Sequence, residues 1–135
     1  MSNLTLEAIE LTRLFGGREA VKNVSFQLEK GEVLGFLGPN GAGKSTTMRM
    51  LTGNLAPSIG TVKICGIDMM ENPKEAKALI GYLPEMRPIY KEFTVDEFLT
   101  IAGRLHKVPS KHIKKAVEIA KQKCCLLYTS DAADE

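Results

Sequence analysis

The sequence predicts an α/β fold in which an antiparallel strand pair leads into a glycine-rich turn and a helix. Three observations carry that reading. Two strand-like segments, 4–11 and 20–28, are separated by the turn signal Gly16-Gly17. A mostly apolar run, 32–37, stops at the turn-forming cluster Gly38-Pro39-Asn40-Gly41. A helical pattern then begins at Lys44, carries Met48, Met50 and Leu51, and stops at Gly53-Asn54.

Taken in order, 4–11 alternates in part and 20–28 alternates better. The run 32–37 reads as a buried strand, and Pro57-Ser58-Ile59-Gly60 as a turn. Residues 61–65 form a further strand ended by Gly66. Thr94-Val95-Asp96-Glu97 is a capping box, in which threonine and glutamate satisfy each other's orphan donors. The helix it opens places Phe98, Leu99, Ile101, Ala102 and Leu105 largely on one face. Val108-Pro109-Ser110 breaks it, and Ser110 is expected to cap a second helix carrying Ile113, Ala116, Val117 and Ala120. Lys111, Lys114, Lys115, Lys121 and Lys123 give that helix a basic face, read first as a solvated face and second as a surface for anionic lipid or a partner.

Composition narrows the class. A chain of 135 residues suffices for one domain with a sizeable core. Hydrophobic residues at 44% and charged residues at 25% are ordinary for a soluble globular protein. No apolar run approaches the roughly 18–20 residues of a membrane-spanning helix, and the first residues lack a signal-peptide layout. Cys65, Cys124 and Cys125 have neither zinc-ligand nor redox spacing, which suits a reducing compartment. A net charge of +2 does not argue for a nucleic-acid partner.

The chemistry sits in residues 38–46. Strand, glycine turn and helix is the context that makes G-x-x-x-x-G-K-[ST] a phosphate-binding loop, here Gly38, Gly43, Lys44 and Ser45, with Thr46 following. Glycines at Gly41 and Gly43 let backbone N–H groups curl around a phosphate. A helix N-terminus favours an anion by only about 0.3–1 kcal/mol at an exposed site. Lys44 adds a full charge, attractive by roughly 4 kcal/mol at about 4 Å and an effective dielectric of 20. Ser45 offers its hydroxyl to magnesium, and Thr46 donates to a phosphate nearer the sugar.

With these residues in hand, the chain resembles the ABC-transporter ATPase subunits, over about residues 4–123. The stretches that carry the likeness are "LTRLFGGREAVKNVSFQLEKGEVLGFLGPNGAGKSTTMRMLTGNLAPSIGTVKICGID" and "IGYLPEMRPIYKEFTVDEFL". The resemblance implies a P-loop NTPase fold of the ABC ATPase type with N-terminal antiparallel strands, binding ATP and magnesium. It places the nucleotide on Gly38, Pro39, Asn40, Gly41, Ala42, Gly43, Lys44, Ser45 and Thr46, with Phe15 stacking on adenine where the family more often has tyrosine. The plain alternative for Phe15 is a core side chain at a strand end. Glu85 falls where the family usually has the glutamine of its Q-loop, so Lys44 and Glu85 are the catalytic candidates and Ser45 and Glu85 the magnesium ligands. A glutamate accepts from water but cannot donate an amide hydrogen bond, and a surface glutamate is the plain alternative.

The resemblance divides the chain into an ATPase core over 1–92, the start of a helical subdomain over 93–124, and a tail over 125–135. The subdomain and Q-loop would contact a membrane-spanning permease, and a second ATPase subunit would complete the site, at the cytoplasmic face of the cell membrane. "IGYLPEMRPIY" tilts the reading toward export-type systems. The signature motif, the Walker B strand with its Asp-Glu, and the switch histidine are absent, with His106 and His112 in the wrong region. The tail, "CLLYTSDAADE", breaks the helical period, and one back-translation of it resembles the end of a transposase-type sequencing adapter read in frame, so the expectation is a non-native tail. The expectation is an incomplete ATPase subunit, truncated before those motifs, that binds nucleotide without turning it over. The rival is a soluble ABC-family ATPase without a membrane partner. An unrelated kinase or GTPase is opposed by the strand hairpin, by Phe15 and by the lack of an N-K-x-D motif.

Overall fold

In the computed structural model the described residues are 3–39, 41, 43–86 and 90–126. They fall into two compact units that divide between Tyr82 and Leu83.

The first unit is built on a four-stranded antiparallel sheet of order β2-β1-β3-β4. β1 (Leu4–Phe15) and β2 (Arg18–Glu29) form a long hairpin across Gly16-Gly17, longer at both strands than alternation alone predicts. β3 (Ile59–Ile64) pairs with β1, and the short β4 (Ile67–Asp68) pairs with β3. β1 is not regular. The pairings Leu6↔Leu28 and Ala8↔Phe26 shift register before Leu11↔Val24, and Glu10 there has φ +49. The displaced N–H groups find hydroxyls instead: Glu10 N donates to Ser25 Oγ at 2.8 Å and Asn23 N to Thr12 Oγ1 at 3.0 Å. The bulge moves the buried set from Ala8 to Leu11 and explains why the alternation of this segment is only partial.

α1 (Lys44–Leu51) packs on the sheet through Met50 and Leu51. Together with Ala8, Leu11, Val21, Val62, Ile64, Met69 and Ala76 they form the core. α2 (Pro73–Ala78) contributes Ala76 and was not anticipated from the sequence. Its start is legible afterwards in Pro73, which suits the first helical position because its missing N–H would be unpaired there anyway.

The run 32–37 departs from expectation. It forms no strand among the described residues, and Val33 and Leu37 are 98% and 96% exposed. A buried strand needs neighbours on both edges and cover on both faces. The described sheet ends at β2 and β4, and neither edge pairs with 32–37.

In the second unit α3 (Val95–Leu105) and α4 (Ser110–Lys123) are joined by a short break. The capping box is present: Glu97 N donates to Thr94 Oγ1 at 3.2 Å, and Thr94 N to Glu97 Oε2 at 3.1 Å. The apolar face expected of α3 is not buried, and Leu105 is 78% exposed. Tyr90 packs edge-on against Phe93 at 5.8 Å between ring centroids. At α4 the N-cap is Pro109, so Ser110 is the first helical residue and makes no capping bond. Lys121 also leaves the expected basic face. It is buried beside Ile113 and Val117, with Nζ 2.9 Å from Asp96 Oδ1 on α3 and 3.9 Å from Glu118 Oε1.

Candidate functional site

The site lies where the β1–β2 hairpin meets the start of α1. Gly43 is the N-cap of α1 in the left-handed conformation, φ +91. A Cβ there would meet Ala20 O at 2.6 Å and Val21 Cγ2 at 3.2 Å, and the backbone oxygen cannot give way. The glycine therefore does two things: it turns the chain into the helix and seats the helix start on β2. Thr47 N and Thr47 Oγ1 both donate to Gly43 O, at 2.9 and 2.8 Å, and close the first turn. The N–H groups of Lys44, Ser45 and Thr46 have no intrahelical acceptor, as at any helix start.

These residues line a cavity of about 370 Å³, within the range of small-ligand sites. Gly41, Gly43, Lys44, Ser45 and Thr46 come from the loop and helix. Phe15, Arg18, Glu19 and Ala20 come from the hairpin. Lys44 Nζ donates to the Gly38 carbonyl, which anchors the ammonium over the loop. Ser45 is exposed, and Thr46 is half-buried.

Of the residues singled out from sequence, the fold brings Phe15, Gly41, Gly43, Lys44, Ser45 and Thr46 to one cavity. Gly38 serves through its carbonyl, and Pro39 is exposed in the loop without lining the cavity. Asn40 and Ala42 lie outside the described residues. Glu85 belongs to the second unit and is exposed there. Arg18, Glu19 and Ala20 were missed. The signal was the Gly16-Gly17 turn, since a tight hairpin there sets Arg18 opposite Phe15, as the register has it.

Among the described residues no three His, Cys, Asp or Glu side chains gather as a metal site. Magnesium carried on a phosphate needs only one or two protein oxygens and keeps its waters. An exposed hydroxyl at Ser45, next to Lys44 in the cavity, fits that requirement.

Comparison with known proteins agrees with the geometry. The ABC transporter family profile matches residues 21–132. The chain is 42% identical over 107 residues to the uncharacterized ABC transporter ATP-binding protein YxlF of Bacillus subtilis, covering 79% of this chain and 35% of that protein. It is 38% identical over 104 residues to the Nod factor export ATP-binding protein I of Paraburkholderia xenovorans, covering 77% and 34%. A solved structure of the ATP binding subunit of an ABC transporter superposes with a TM-score of 0.73 at 28% identity, over 82% of this chain and 46% of that one. The chain thus spans about a third of the length of these curated relatives. A hairpin, a phosphate loop and a matching profile over most of its residues place this chain in the ABC transporter family.

Proposed function

We propose that this chain is the nucleotide-holding portion of an ABC transporter ATP-binding subunit of export type. The single observation that carries the reading is one cavity holding an aromatic ring, Phe15, together with the phosphate-loop residues Lys44, Ser45 and Thr46. A phosphate loop alone fits many nucleotide enzymes, whereas a ring from an N-terminal hairpin supplies the second contact a base needs.

In this reading the N–H groups of Gly41, Gly43 and the first turn of α1 cradle the phosphates. Lys44 exchanges the Gly38 carbonyl for a phosphate oxygen, so one charge-assisted bond replaces another. Ser45 holds magnesium, which when bound neutralises phosphate charge. Thr46 donates to a phosphate nearer the sugar, and Phe15 stacks on adenine. Glu85 is retained as a magnesium ligand or water acceptor on its sequence position alone. The proposed layout is an ATPase core over 1–92, the start of a helical subdomain over 93–124 and a non-native tail over 125–135. The partners proposed are a membrane permease and a second ATPase subunit, at the cytoplasmic face of the membrane, with transport driven by ATP hydrolysis. No helix among the described residues is long and apolar enough to cross a membrane. With neither signature motif nor Walker B carboxylates in the sequence, the chain alone is proposed to bind ATP without turnover.

The test is equilibrium titration of the chain with Mg-ATP, beside Lys44→Ala. Loss of the ammonium is expected to weaken binding at least tenfold, because charge-assisted bonds to phosphate are among the strong ones. Equal affinity in both proteins would remove the phosphate loop from the site.

A further inference from the structure

Phe15 carries the base contact in the proposed site, yet it is 43% exposed at the end of a hairpin, where a ring is free to turn. A stacking platform that must be ordered on binding costs affinity. Arg13, which is outside the cavity lining, has its guanidinium carbon 4.7 Å from the Phe15 ring centroid. Its Nη1 donates to the Ala56 carbonyl at 2.7 Å. The same turn is tied to β1 twice more, by Leu14 N to Ser58 Oγ at 3.0 Å and Ser58 N to Thr12 O at 2.8 Å. Arg13 Nε is buried without a hydrogen-bond acceptor among the described residues. Buried donors are almost always paired, and here the group beside the guanidinium is the electron-rich Phe15 ring face.

We propose that Arg13 is a positioning residue: held by the 56–58 turn, it backs the Phe15 ring from outside the cavity and fixes it as a ready platform for a nucleotide base. The inference rests on the reading of Phe15 as the base contact. A cation behind the ring also draws electron density from it, which strengthens stacking on an electron-rich purine. Arg13 does not line the cavity that holds Lys44, Ser45 and Thr46, so its effect is expected on the base contact and not on the phosphates.

That separation provides the test. The 135-residue chain, Arg13→Leu, Arg13→Lys and Phe15→Ala are each titrated with Mg-ATP and with magnesium tripolyphosphate, which lacks a base, with far-UV circular dichroism on every protein. Arg13→Leu is expected to weaken ATP about two- to fivefold and leave tripolyphosphate unchanged. Arg13→Lys, which keeps a cation, is expected to recover most of the loss. Phe15→Ala is expected to lower the ATP-to-tripolyphosphate ratio about tenfold. If Phe15→Ala lowers the ratio and neither Arg13 variant does, the positioning role is wrong and the base contact stands. A ratio unchanged in Phe15→Ala removes the base contact and this inference with it. Should Arg13→Leu fail to fold, Arg13→Gln, which keeps a side-chain donor for the Ala56 carbonyl but removes the cation, replaces it: a lowered ratio supports the role, and a native ratio overturns it.

Discussion

The helices α1, α3 and α4 end on the same paired bonds. After α1, Asn54 N reaches Arg49 O at 2.9 Å and Gly53 N reaches Met50 O at 3.2 Å. After α3, Val108 N reaches Gly103 O at 2.9 Å and Lys107 N reaches Arg104 O at 3.0 Å, and α4 repeats the pattern through Leu126 and Cys125. The motif needs a left-handed residue. It is Gly53 at φ +78 in the first case, but Lys107 at +61 and Cys125 at +55 in the others. A side chain in that region costs about 1–2 kcal/mol, so Lys107→Gly is expected to raise stability by about 1 kcal/mol in denaturant unfolding. No gain would mean that the Lys107 turn is not held left-handed in solution. Legibility followed residue type: Gly53-Asn54 announced the stop, whereas Lys107 and Cys125 carry no such mark. Arg13 was equally silent, because its value lies in contacts with Phe15 and Ala56, of which the second is distant in sequence.

Elements were legible where the device is local. The Thr94–Glu97 capping box is written in four consecutive residues and forms as written. Thr94→Ala is expected to cost about 1 kcal/mol by the same measurement, and an unchanged midpoint would show that α3 does not depend on its cap. Where the device is tertiary, the sequence misled. Lys121 was grouped with the exposed lysines, although it continues the Ile113–Val117 stripe at helical spacing. Its nearer partner Asp96 lies on another helix, and that carboxylate, with Glu118 at 3.9 Å, lets an ammonium end in an apolar stripe. Ser110 shows the reverse error, a good capping residue left unused because Pro109 already occupies the cap position.

At the scale of the whole molecule, the phosphate loop and its helix were legible because glycine spacing, charge and helix start coincide within nine residues. The fate of 32–37 was not. Local composition reports the tendency to be a strand, while burial depends on neighbours, and the described sheet offers it none. The relatives this chain matches are about three times as long. Val33 and Leu37 stand in solvent as large apolar groups, with Leu83 75% and Met86 87% exposed elsewhere. Exposed apolar clusters drive association. Leu37→Lys is expected to leave unfolding stability within about 0.5 kcal/mol of the parent while raising the concentration at which the chain stays monomeric in sedimentation. A loss of several kcal/mol would mean that Leu37 is buried in solution.

The central claim is that the hairpin ring and the phosphate loop form one nucleotide site. The most direct measurement is a nuclear magnetic resonance titration of the 135-residue chain with Mg-ATP. Shifts are expected together, with one saturation curve, at the amides of Gly41, Gly43, Lys44 and Ser45 and at the ring protons of Phe15. Shifts at the loop with an unmoved Phe15 ring, or none at either place, would contradict it.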